Sequence, residues 1–169
     1  MIRRPLLDAA LERFHELKPR IKASDLIGIV DFSRHSSEPR FHVLDMHSGD
    51  VSTHLVSHGR GSDPAHTGLL QRFSNTPGSN ASSDGAYITG ARYVGQHGPS
   101  MRLHGVDPTN DNAEARAIVL HSAWYVSKDL VRQHGKIGRS QGCFAVNPQE
   151  LAYFLDNFGN GRLLYAAKV

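Results

Sequence analysis

The sequence predicts a mainly β domain with a few helices. Three observations carry this. Apolar residues alternate with period two in most of the periodic segments, the pattern of strands with one buried face. Helical periodicity is confined to about three short stretches. The 169 residues, 39% hydrophobic and 21% charged, fit one soluble domain large enough to bury a core.

The elements follow in order. Leu6, Leu7, Ala10, Leu11, Phe14 and Leu17 recur at steps of three and four, so the chain should open with an amphipathic helix that ends near Pro19. This helix, within residues 1–24, is expected to pack on a main domain spanning 25–169. Leu26 to Phe32 reads as a strand. Arg40 to Met46 and Val51 to Ser57 read as two more, joined by a turn at His47-Ser48-Gly49-Asp50. His58 to Asp84 is rich in Gly, Ser, Asn, Pro and Thr, and a loop of that length inside a domain is expected to be functional or mobile. Ala86 to Tyr93, Met101 to Val106 and Ala115 to His121 should be strands. The run Ile118-Val119-Leu120 suggests a central strand buried on both faces. Ser127 is placed to cap a helix through His134, stopped by Gly135. Asn147-Pro148-Gln149-Glu150 is a second helix start, with Leu151, Phe154, Leu155 and Phe158 as its apolar face. Gly159 or Gly161 ends it, and Leu163 to Ala167 closes as a strand.

The totals exclude several classes. No apolar run is long enough to span a bilayer. The opening Met1-Ile2-Arg3-Arg4-Pro5-Leu6-Leu7-Asp8 has a basic start but no sustained apolar stretch, so it does not read as a secretory signal. The expectation is a cytoplasmic protein or a trimmed, mature chain. The formal charge of +3 is a mild basic bias, suited to an anionic polymer such as nucleic acid or cell-wall glycan. The basic residues are scattered rather than run together, which disfavours nucleic acid. Eleven histidines invite a metal reading, and His54-x-x-x-His58, with His35, His42 and His47, is its best case. That stretch alternates like a strand and lacks the glutamate of a His-Glu-x-x-His site, so no metal is expected.

One cysteine is present, in Gly138-Arg139-Ser140-Gln141-Gly142-Cys143-Phe144. A single sulfur makes no internal disulfide and is too little for a cysteine-based zinc site. A buried, inert thiol is the plain reading. A Gly-flanked turn, however, leaves room for a substrate backbone, and a nucleophilic thiol needs a base. His121 is the best candidate, at the end of the apolar run Ala117-Ile118-Val119-Leu120. Cys143 begins a second run, Cys143-Phe144-Ala145-Val146. Two strand ends side by side would bring imidazole and sulfur within hydrogen-bond reach, roughly 3–4 Å. A papain-like hydrolase is disfavoured because its cysteine precedes its histidine in sequence.

Ile118-Val119-Leu120-His121 followed by Gly138-Arg139-Ser140-Gln141-Gly142-Cys143 resembles the histidine-to-Ser-x-Gly-Cys signature of the YkuD-type L,D-transpeptidases, cysteine enzymes of bacterial cell walls. Phe73-Ser74-Asn75-Thr76-Pro77-Gly78-Ser79, Ser82-Ser83-Asp84-Gly85-Ala86-Tyr87, Asn110-Asp111-Asn112-Ala113 and Tyr125-Val126-Ser127 are similar to the YkuD-like family 2 branch. Together they cover about Ile27 to Tyr165. Ser122 replaces the glycine that often follows the histidine, and Phe144 stands where this branch often has proline.

The resemblance implies a YkuD-type catalytic domain, a sandwich or barrel-like sheet with flanking helices. It implies a peptidoglycan L,D-transpeptidase that cleaves the bond between a diamino acid and terminal D-alanine in a stem tetrapeptide. A thioester forms and passes to an amine of another stem, giving a 3→3 cross-link. Water as acceptor would make it an L,D-carboxypeptidase, and a non-catalytic wall-binding module on the same fold is the further alternative. It implies Cys143 as nucleophile and His121 as base and acid. Backbone N–H groups of Gly142 and Cys143 would form an oxyanion hole, and Ser140 would orient His121 or else brace the loop. Arg139, His97, Ser122 and Tyr125 are the expected substrate-binding positions. The stretch from Gly59 to Asp84 would be a mobile flap. No cofactor is expected. The partners are stem peptides, not nucleic acid, and the expected place is the periplasm or cell wall.

Overall fold

A computed structural model describes residues 1–169. Helix α1 (Arg4–Leu17) opens the chain, with Pro5 in its first turn, where the missing N–H costs no helical bond. Strands β1 (Leu26–Asp31), β2 (Phe41–Asp45), β3 (Val51–His54), β4 (Gly85–Gly95), β5 (Gly98–Gly105) and β6 (Val119–Ser122) follow. Helix α2 (Lys128–His134), β7 (Phe144–Val146), a helical segment α3 that runs from a 3-10 turn (Pro148–Glu150) through Leu151–Tyr153 into a π-helical turn (Phe154–Phe158), and β8 (Leu163–Ala167) complete it. The strands form one eight-stranded sheet in the order β3-β2-β1-β8-β4-β5-β6-β7. Two neighbouring pairs, β1 with β8 and β6 with β7, are parallel; the rest are antiparallel.

Side-chain alternation along β1 separates two cores. Ile27 and Ile29 face α1, whose Leu6, Ala10, Phe14 and Leu17 bury against them with Ala86 and Leu163. Val30 faces the other way, into a larger cluster with Phe41, Tyr87, Leu120, Phe144, Phe154 and Phe158. Gly28 lies on that second face, where an added Cβ would meet the Phe158 ring at 2.9 Å and Phe41 at 3.0 Å. Arg3 ties the helix start to the sheet with two 2.7 Å bonds to the buried Asp31 carboxylate, a charge-assisted fork that compensates the burial of that charge.

Most expected elements are found within a residue or two. Ser127 Oγ accepts from Leu130 N at 3.1 Å, and Gly135 closes α2 with φ +73°. Asn147 caps the α3 segment by accepting from Gln149 N. Three differences matter. Ala115 to Ala117 are not strand: the chain turns there, Ile118 N bonding back to Ala113 O and Ala117 sitting at φ +54°. β6 is buried but lies second from the sheet edge, not centrally. The loop from Gly59 to Asp84 is stitched down rather than loose along most of its length. Gly61 N bonds to Asn80 O, Ser82 N to Ser62 Oγ and Gly59 N to Ser82 Oγ. Ser62, Asp63, Leu70 and Ala81 to Ser83 are buried, and Thr76 to Gly78 form an exposed tip. Buried backbone must find partners, and the small polar residues that mark a loop by composition supply them here.

Candidate active site

The parallel pair β6 and β7 sets His121 opposite Ala145 and Leu120 opposite Phe144. Leu120 and Phe144 both enter the large core. Cys143, one residue before β7, therefore emerges on the opposite face from Phe144, the face that carries His121. The two are diagonal neighbours across adjacent strands, and both line one cavity of about 500 Å³.

His121 is buried, and its Nδ1 donates to Ser122 O at 2.8 Å. That bond fixes the Nδ1–H tautomer and leaves Nε2 as the available base. The His97 ring, carried by the β4–β5 turn, stacks on it with centroids 4.1 Å apart and planes 8° from parallel. Burial, with the neighbouring His97 charge, holds the His121 pKa below its ordinary value, despite the bond to Ser122. The Cys143 thiol is pushed up by burial, partly offset by the Val119 N–H and the positive charge of Arg116. Both shifts favour the neutral pair over the thiolate–imidazolium pair. The thiol accordingly donates to Ala117 O at 3.4 Å and accepts from Val119 N at 3.5 Å. The structure gathers sulfur and imidazole on one wall, but the direct bond between them expected from sequence is not made.

Other expected site residues are placed as follows. Ser140 Oγ donates to Cys143 O at 2.7 Å and accepts from Gly142 N at 3.2 Å. It braces the cysteine loop and does not orient His121; the imidazole is oriented by Ser122 O and His97. The Gly142 N–H is thereby occupied, so of the two expected oxyanion donors only the Cys143 N–H is unengaged. Gly142 contributes shape: its φ is +112°, and a Cβ there would meet Ala81 O at 2.7 Å. Ser122 serves through its carbonyl and does not line the cavity. Tyr125 and Arg139 do line it. Arg139 spends Nη1 on Asp63 O and Pro64 O, which aims its fork.

Two lining arginines escape sequence reasoning. Arg60 stands at the rim. Arg116 donates to Ser74 O at 2.8 Å and Ala81 O at 2.7 Å, clamping the long loop beside the sulfur. With Arg139 they make a cavity wall that has three guanidinium groups and no carboxylate, a field that attracts carboxylate-bearing ligands. Nothing local marks these arginines; they are scattered along the chain and meet only in the fold.

Beneath the cysteine loop lies a buried relay, also missed. Arg40, fully buried, donates to Val56 O, Arg34 O and His58 Nδ1. His58 Nε2 donates to Asp63 Oδ2 at 3.0 Å, and Asp63 accepts further from Thr67 and Gly68. His58 O in turn accepts from Ser140 N, and Arg60 N donates to Ser140 O. Burial and the Arg40 charge push the His58 pKa down to about 4. A depressed histidine gives stability that is full above its unfolded value of about 6.5 and lost as pH falls towards 4. Thermal melts should therefore fall between pH 6.5 and 4 more steeply in wild type than in His58→Gln; equal slopes would remove His58 from that transition.

Of the histidines considered for metal, His47 is exposed on the β2–β3 turn and His58 belongs to the relay. His54 pairs with Glu150 and stacks on Tyr153, His42 bonds Thr53, and His35 bonds Ser37 and Thr67 O. No three His, Cys, Asp or Glu side chains form a metal-holding group.

The protein is thus a single-cysteine domain whose mixed sheet ends on two short parallel strands, with the thiol and one imidazole on their shared face. Residues 1–167 match the family profile of the L,D-transpeptidase catalytic domain, the second YkuD branch, and the chain belongs to that family. L,D-transpeptidases are acyltransferases. A comparison with curated protein sequences finds no significant match. Among solved structures, an L,D-transpeptidase from Mycobacterium smegmatis is similar at 15% identity and TM-score 0.50, over 85% of this chain and 58% of that one. L,D-transpeptidase 1 of Mycobacterium tuberculosis is similar at 15% identity and TM-score 0.46, over 85% of this chain and 61% of that one. An L,D-transpeptidase from Xylanimonas cellulosilytica is similar at 16% identity and TM-score 0.48, over 95% and 68%. The chain thus spans about three fifths of the two mycobacterial proteins, and at 15% identity the likeness to the Mycobacterium smegmatis protein concerns the fold alone.

Proposed function

We propose that the protein is a peptidoglycan L,D-transpeptidase with Cys143 as nucleophile and His121 as general base and acid. The observation that carries this reading is the placement of both side chains on one face of β6 and β7, in a single cationic cavity. The substrate is a stem tetrapeptide, whose terminal carboxylate suits the arginine wall. As the scissile carbonyl approaches, the thiol hydrogen leaves Ala117 O for His121 Nε2, and Sγ bonds the carbonyl carbon. Transferring the proton only at this point avoids a standing buried ion pair, which both pKa shifts disfavour. The Cys143 N–H faces the developing oxyanion. Collapse breaks the C–N bond, the departing amine of D-alanine takes the proton from His121, and a thioester remains. An acceptor amine then gives its proton to Nε2 as it attacks, and the thiol is regenerated with the cross-link formed. No cofactor enters the balance. No helix of the protein is long and apolar enough to cross a membrane; the substrate places the domain outside the cytoplasmic membrane, in the periplasm or wall.

The test is mass spectrometry of disaccharide tetrapeptide after incubation with the protein. Released D-alanine with 3→3 dimers supports the transferase. Tripeptide alone makes water the acceptor and the protein an L,D-carboxypeptidase. Intact tetrapeptide, with binding that Cys143→Ala leaves unchanged, would replace the enzyme reading with a binding module.

A further inference from the structure

The chain has one tryptophan, and it is not in the core. Trp124 is 79% exposed, although Ala123 before it and Val126 two residues after it are buried in a small cluster with Leu55, Ile137 and Ala145. The turn between them is pinned, with Ala123 N bonded to Val146 O and Val126 N to Ala123 O. Tyr125 packs edge-on against the indole at 5.8 Å. A large apolar plate is thus held out in solvent on a rigid turn, where folding gains nothing from it.

Its surroundings narrow what it meets. Trp124 stands between two cavities. One, of about 560 Å³, is the roomier of the pair and is edged by Thr53, Lys128, Gln149 and Glu150. The other, of about 500 Å³, includes His134 and Lys136 and shares Tyr125 with the catalytic cavity. Only two of the thirteen residues around the first are hydrophobic, too few to hold an apolar peptide side chain or the core of a protein interface. A single exposed aromatic face ringed by hydroxyl, amide, ammonium and carboxylate groups instead matches a sugar. A pyranose has an apolar C–H face to lie on the indole and an edge of hydroxyl and acetamido groups to bond the rim.

We infer that the polar surface between Trp124 and the Thr53, Gln149 and Glu150 edge is a subsite for the glycan strand, with an N-acetylated hexose unit stacked on the indole. The inference rests on the proposed peptidoglycan activity for the identity of the sugar; the binding itself needs no catalysis. The strand would lie next to the catalytic cavity through Tyr125 and keep its attached stem at high local concentration.

Because this is the sole tryptophan, its emission reports on this surface alone. Titration with a tetramer of N-acetylglucosamine is expected to give a saturable blue shift, in wild type and in Cys143→Ala alike. Co-sedimentation with glycan strands stripped of stem peptides should weaken about tenfold in Trp124→Ala, the loss of one stacking contact. Gln149→Ala, which keeps the fluorophore, should shift the titration midpoint upward. Emission unchanged at millimolar tetramer, wild-type sedimentation of Trp124→Ala, or a shift produced by free stem tetrapeptide but not by sugar would each overturn the subsite. All of these readouts survive an inactive enzyme, so failure of the cross-linking assay leaves them interpretable.

Discussion

Cys143→Ala is expected to lower D-alanine release from disaccharide tetrapeptide by a factor on the order of 10⁴ or more, the scale on which removal of a covalent nucleophile acts. The fold should survive. The thiol makes only two weak sulfur contacts, to Ala117 O and Val119 N, so the melting temperature should move by no more than about 4 °C. The same substitution separates two readings of a buried cysteine. An inert thiol would leave turnover near wild type, and that result would sink the mechanism. A carbapenem supplies an independent check, because its strained carbonyl stands in for the scissile amide. Intact mass should show one covalent adduct on wild type and none on Cys143→Ala. His97→Ala belongs to the same argument at smaller scale. It removes the ring stacked on His121 and should change the pH profile more than the binding of substrate.

Arg40→Ala is expected to be the most damaging substitution for the fold away from the hydrophobic clusters. Arg40 carries a buried charge whose three nitrogens all donate, to Val56 O, Arg34 O and His58 Nδ1, over the face of Phe32. Burial brings its pKa down to about 9, so it stays protonated at neutral pH. Truncation strands two carbonyls and an imidazole nitrogen and leaves a void, a loss of about 3–5 kcal/mol for one broken partner of a buried charged network. The expected fall in melting temperature is about 10 °C. Arg40→Lys keeps the charge but not the fork, and should fall between the two. Activity should suffer as well, because the relay holds the His58–Arg60 backbone against Ser140 and so the loop that ends in Cys143. A wild-type melt for Arg40→Ala would show that the network contributes nothing.

The site was legible in the sequence to the extent that local pattern reports it. Leu120-His121 and Cys143-Phe144 each join a candidate reacting side chain to an apolar strand segment, but the run Ile118-Val119-Leu120 reads as buried on both faces, so the face shared by His121 and Cys143 came only from the β6–β7 register. Ser127 and Asn147 were legible as caps because a cap is a contact within three residues. Ala117 misled: its run with Ile118-Val119-Leu120 reads as strand, yet it holds φ +54° to turn its carbonyl towards the thiol. The role of Ser140 was equally hidden, since its hydroxyl has partners two and three residues away that compete with any distant imidazole.

What the sequence determined by itself is most of the elements, the family and the two candidate reacting residues, all carried by spacings of a few residues where propensity, alternation and capping act. What only the tertiary structure decided is charge and contact at long range. Arg60, Arg116 and Arg139 meet around one cavity, Arg40 is driven into the interior, and Trp124 is left outside it. Whether an arginine is solvated or buried, and whether a thiol rests neutral or ionised, depends on the dielectric and the partners supplied by residues tens of positions away, and no local pattern encodes them.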